Sequence, residues 1–101
     1  MEITLLLNAP PGGRCRLYQA YGAALVEHAA AHCAELFGKL PALPELRAPA
    51  ILINGQAVAP ADGVIISPQD LGRVLDEFHP GAPRLEMLLD EVLERCMAEW
   101  S

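Results

Sequence analysis

Ala48-Pro49-Ala50-Ile51-Leu52-Ile53-Asn54-Gly55-Gln56-Ala57-Val58 is the stretch whose reading sets the fold class. Its apolar run from Ala50 to Ile53 has the length and composition of a buried strand. Asn54-Gly55 suits a two-residue hairpin turn, which needs positive φ at both central positions. A second strand through residues 56–59 then pairs back antiparallel. Residues 64–66, Val-Ile-Ile, offer an extension of it beyond the Pro60-Ala61-Asp62-Gly63 interruption.

Upstream, Glu2-Ile3-Thr4-Leu5-Leu6-Leu7-Asn8 is a short run, apolar on both faces, that ends at the breaker Ala9-Pro10-Pro11-Gly12-Gly13. Such a run reads as a central strand covered on both sides. Residues 14–37 hold no proline and are rich in Ala, Leu and Glu, which predicts one long helix closed by Gly38. At 100° per residue, Tyr18, Tyr21, Leu25, Ala29, His32, Cys33 and Leu36 share a broad face, with Arg16, Ala20, Glu27 and Ala34 opposite. Residues 40–47, with two prolines and few strand formers in sequence, read as a loop with room for one helical turn.

Downstream, Ser67-Pro68-Gln69-Asp70 has the cap, the first-position proline and the first-turn acid of a helix start. Leu71, Val74, Leu75 and Phe78 give that helix its apolar stripe. Pro80-Gly81-Ala82-Pro83 breaks it, and residues 84–100 predict a last helix. There Leu85, Leu88, Leu89, Val92, Leu93, Cys96 and Trp100 gather on one side, while Glu86, Asp90, Glu91 and Glu94 lie away and read as a solvated face. The stripe is longer than one edge of a small sheet needs. It is expected to dock as an extra layer on the sheet, with part left for contact with another copy.

The chain has 101 residues, 52% of them hydrophobic and 20% charged, which suits a single folded domain over residues 1–101. Seven basic against thirteen acidic residues give a formal charge of −6. Binding to nucleic acid or an anionic membrane surface would need a dense basic patch, and neither partner is expected. No run approaches the ~18 apolar residues of a membrane span, and Glu2 stands where an export signal would carry positive charge. The expected compartment is therefore the reducing cytoplasm. Cys15, Cys33 and Cys96 form no CxxC pair, and all three thiols should be free there.

The post-strand loop Pro10-Pro11-Gly12-Gly13-Arg14-Cys15, Ala48-Pro49 directly before a strand, the Asn54-Gly55 hairpin, Asp62-Gly63 and the capped Ser67-Pro68-Gln69-Asp70-Leu71 follow a familiar order. In that order the chain resembles the thioredoxin-like superfamily. The resemblance implies an α/β fold: a three- to four-stranded mixed sheet with flanking helices over residues 2–78, plus an extra C-terminal helix. It also implies that Pro49 is cis and faces the thiol at the start of the first helix, Cys15. Two features depart from the family. The strand between the first helix and the proline is not visible in residues 38–47, and the dithiol motif is absent.

Cys15 is the one candidate for chemistry. It falls in the first turn of a helix, whose dipole and free N–H groups favour a thiolate, and Arg14 and Arg16 flank it. On this reading Cys15 reacts with iodoacetamide faster than Cys33 or Cys96. The plainer reading is a small buried residue at a helix start. Gly12 and Gly13, with Arg14 and Arg16, could present N–H groups and positive charge to an anion. His28 and His32 are spaced i, i+4 with Cys33 adjacent, as metal ligands can be, but a site needs a third and usually a fourth ligand. His32 on an apolar face reads more simply as a core histidine bonded to a carbonyl. Asp62 reads as a turn residue and Asp70 as part of a cap. No phosphate loop, nucleophile elbow or dinucleotide fingerprint is present, and no cofactor is indicated.

These readings converge on a thioredoxin-like protein without a dithiol site, which binds a partner protein or a second copy of itself. The alternative is a monothiol oxidoreductase or thiol-linked ligand binder using Cys15 opposite Pro49. A third option is a metal-delivery module through Cys15, His28 and His32.

Overall fold

The computed structural model describes residues 1–100, Trp100 by its backbone only, so that side chain's place on the apolar stripe lies outside the described residues. In chain order the elements are β1 (Glu2–Leu7), α1 (Gly13–Ala29), β2 (His32–Phe37), β3 (Ala50–Ile53), β4 (Gln56–Ala57), α2 (Pro68–Leu75) and α3 (Ala82–Trp100). The four strands form one mixed sheet in the order β2-β1-β3-β4. β2 runs parallel to β1, and β3 and β4 are each antiparallel to the strand before them in space.

β1 is the centre of this arrangement. Ile3, Leu5 and Leu7 point to one face and join the main core with Leu17, Tyr18, Tyr21 and Leu25 of α1 and Ile51 and Ile53 of β3. Leu6 points the other way and is also fully buried, as are Ala50 and Leu52 beside it. Burial of both faces explains why β1 and β3 read as continuous apolar runs rather than alternating ones.

The hairpin forms as its sequence dictates. Asn54 (φ 49°) and Gly55 (φ 82°) both take positive φ. The Asn54 side-chain oxygen accepts from the Glu2 N–H at 2.8 Å, which ties the turn to the start of β1. β4 is shorter than expected, ending at Ala57, and residues 64–66 do not extend it. The helix start at Ser67 is a complete capping box: its hydroxyl accepts from the Asp70 N–H, and the Asp70 carboxylate accepts from the Ser67 N–H. Leu71 and Leu75 of the expected stripe are buried, whereas Phe78 is exposed.

The main correction falls between α1 and β2. The single helix expected over residues 14–37 ends at Ala29, and residues 32–37 form a strand instead. Ala30 makes the break by adopting the left-handed conformation (φ 52°, ψ 33°), with its N–H and that of Ala31 both returning to the Leu25 carbonyl. Sequence alone marks such a stop with Gly or Asn, and here three alanines in a row conceal it. Within α1 itself, Ala20 packs against the core rather than opposite it. Gly22 lets the helix approach the sheet closely: a Cβ there would stand 3.0 Å from the Cys33 sulfur and 3.2 Å from a Leu5 methyl.

α3 packs on α1 and α2, so the extra layer expected on the sheet lies on the helices instead. Leu85, Leu89 and Val92 are buried there, with Leu88, Leu93 and Cys96 partly buried beside them. No helix among the described residues is long and apolar enough to cross a membrane.

Left-handed backbone at an alanine costs about 1 kcal/mol relative to glycine, which has no Cβ to clash. Ala30→Gly is therefore expected to stabilise the protein by about that amount, raising the urea midpoint with an unchanged slope. A lowered midpoint would mean that the α1 stop is held by something other than this residue.

Candidate functional site

The loop after β4 is pinned onto α1 at one residue, Ile66. The Ile66 N–H donates to the Tyr18 hydroxyl at 2.9 Å, and the Tyr21 hydroxyl donates to the Ile66 carbonyl at 3.0 Å. Tyr18 and Tyr21 are one helical turn apart and stack with ring centroids 6.2 Å apart, so a single apolar stripe presents two polar tips. Burial pushes both phenols up from their ordinary value. For Tyr18 the Ile66 N–H and the Arg14 charge partly offset this, whereas for Tyr21 the neighbouring Tyr18 adds to it.

Further fastenings fix the same loop. The Asp62 carboxylate accepts from the Val64 and Ile65 N–H groups at 2.8 and 2.9 Å, and these bonds hold it below the usual carboxylate range. Gly63 takes positive φ (76°) in that turn. Arg14 then donates from Nη1 to the Val64 carbonyl at 2.9 Å. At the loop's far end, buried Asp70 accepts from Ser67 and Ala61 N–H groups and pairs with Arg73. Its burial raises the carboxyl pKa, but the Ser67 and Ala61 bonds and the Arg73 charge outweigh that and hold it low.

The result is a groove of about 420 Å³ between the start of α1, the segment before β3 and this loop. Arg14, Tyr18, Arg47, Pro49, Val58 and Val64 are among its lining residues. Pro49 is half-buried and its peptide bond to Ala48 is cis, as is the bond between Ala9 and Pro10. Arg47 has no motif around it and was not visible as a site residue in the sequence.

Cys15 lies outside the groove lining. It is 1% exposed, and its sulfur turns inward to accept from the Asn8 N–H at 3.3 Å. Cys33 is exposed on β2 and Cys96 is partly exposed on α3. The exposures thus run opposite to the order of reactivity expected from sequence. Burial pushes the Cys33 thiol up, aided by Glu35, and burial and Glu99 raise that of Cys96 against the lowering effect of Arg95. Gly12, Gly13 and Arg16 are exposed at the start of α1, where Gly12 supplies no side-chain cap.

His28 sits in the last turn of α1 and His32 opens β2. The helical i, i+4 relation that would have aimed both at one metal does not form, because the helix ends between them. Among the described residues, no group of three or more His, Cys, Asp and Glu side chains could hold a metal ion.

Comparison with family models, curated proteins and solved structures finds no match to this chain. The site is therefore read from its own geometry. Its chemistry is that of a cleft of mixed polar and apolar lining, with two arginines and no accessible nucleophile among the residues that build it.

Tyr21→Phe keeps the ring and leaves the buried Ile66 carbonyl without its donor, a loss of about 1–3 kcal/mol in urea unfolding. Because both phenols titrate higher folded than unfolded, their contribution is complete below pH ~10 and is lost as pH rises above it. The wild-type urea midpoint is expected to fall between pH 9 and 11, and Tyr21→Phe to show a shallower fall. Parallel curves for the two proteins would refute the role assigned to this hydroxyl.

Proposed function

We propose that this chain is a thioredoxin-like module without a dithiol site, which works by binding a partner protein or a second copy of itself. The order of elements supports the reading. A parallel β1–α1–β2 unit is followed by an antiparallel β3–β4 hairpin with Pro49 directly before it, and then by a capped helix. The groove beside Pro49 lies where this resemblance would put a binding site. Its walls of Pro49, Val58 and Val64 and its two arginines fit an extended segment of another protein.

The observation that carries the non-catalytic part of the reading is the closed position of Cys15. Nucleophilic attack needs the sulfur to reach its target in line, and this sulfur is buried against the Asn8 amide.

Mass-spectrometric mapping of iodoacetamide adducts on the native protein is the direct test. Cys33 is expected to label first, and Cys15 only once the protein is unfolded in urea. Rapid native labelling of Cys15, together with glutathione-dependent reduction of a mixed disulfide that Cys15→Ser abolishes, would replace this reading with the monothiol one.

A further inference from the structure

We propose that the outer edge of β2 is a self-association surface, on which β2 of a second copy adds antiparallel to extend the sheet. The inference rests on the binding-module reading and names its partner as this chain itself.

All six residues of β2 are exposed, although the strand pairs with β1 without interruption. The His32 N–H donates to the Met1 carbonyl and the Gly38 N–H to the Leu7 carbonyl. Strand period two then turns the backbone groups of His32, Ala34 and Leu36 toward β1 and those of Cys33, Glu35 and Phe37 outward. This outward row is regular. Edge strands are ordinarily guarded by charged side chains, Pro, a bulge or shortness, and of these β2 has only Glu35. The opposite edge is guarded, since β4 is only two residues long and Pro60 follows closely.

One end of this open ladder is apolar. Leu36 is 42% and Phe37 54% exposed. The single charge on the strand, Glu35, already accepts from Gln19 at 3.1 Å. An edge so close to neutral has nothing to attract the basic segment that a chain of charge −6 would otherwise favour. It suits a strand of its own kind.

The strand is also self-complementary about Ala34. With a two-fold axis through Ala34, the smallest side chain on the strand meets itself. Cys33 then lies opposite Glu35 and His32 opposite Leu36 of the second copy, so no like charges face each other. Shifting the axis by one residue to Glu35 would set two carboxylates directly opposite, which disfavours that alternative. In the chosen register Cys33 and Glu35 form the hydrogen-bonded pairs, using groups that point outward in the single chain.

Sedimentation velocity from micromolar to near-millimolar protein is expected to show a monomer–dimer equilibrium. Glu35→Pro removes one outward N–H, a change an edge strand tolerates, and is expected to give a folded monomer by circular dichroism. In the proposed register the two Ala34 Cα atoms lie about 4.5 Å apart, within disulfide reach. A Cys33→Ala, Ala34→Cys double variant should therefore crosslink between copies with oxidised glutathione as oxidant, while Cys33 of the wild type should not. A wild type that stays monomeric throughout overturns the inference. So does a dimer that survives Glu35→Pro and fails to crosslink through position 34. Either result leaves the binding-module reading standing, because that reading falls only with the labelling and reduction of Cys15.

Discussion

The backbone N–H and C=O of Ile66, held by the two tyrosine hydroxyls of α1, are the constraint on which the rest of the site depends. A buried N–H and C=O with no partner would each cost more than a typical hydrogen bond contributes, so this segment has few other places to lie. Fixing Ile66 fixes Ser67 next to it, and Ser67 caps α2. The cap in turn aims Leu71 and Leu75 into the core that α1 and the sheet share. The same tie holds the loop wall that faces Pro49, with Asp62 shaping its turn and Arg14 clasping its Val64 carbonyl. Fold and groove are thus fastened by the same few bonds.

At Cys15 a local electrostatic argument from sequence does not decide a function. Arg14 and Arg16 flank this sulfur in sequence. Yet Arg14 directs its guanidinium to the Val64 carbonyl and the sulfur faces the Asn8 amide. The Arg14 charge is used to hold a loop. Access, which is set by packing, outranks the field at the helix end.

The parts of the fold legible in the sequence are those set by neighbouring residues. Asn54-Gly55 fixes its own dihedral angles, and Ser67 and Asp70 cap each other within one turn. The apolar runs of β1 and β3 announce burial on both faces. What stayed hidden is set by distant residues. The rings of Tyr18 and Tyr21 fall on the predicted apolar face, but the partners of their hydroxyls lie 48 and 45 residues away. Arg47 enters the groove only because the segment before β3 folds back beside α1. The end of α1 was hidden for a different reason: Ala30 does there what a glycine would have advertised.

β2 is the extreme case, because its own side chains give it no reason to be a strand. His32-Cys33-Ala34-Glu35-Leu36-Phe37 buries no residue and shows no alternation of polar and apolar positions. The demand comes from β1. Ile3, Leu5 and Leu7 turn their backbone groups away from β3, and in a strand so deeply buried these groups must find partners. The parallel strand delivered by the turn at Ala30 supplies them. β2 therefore exists to satisfy another strand's backbone, and it does so with only one of its two edges. A strand recruited on those terms keeps a full outward ladder while burying little of its own surface, which is why the sheet's least legible element is also its most available one.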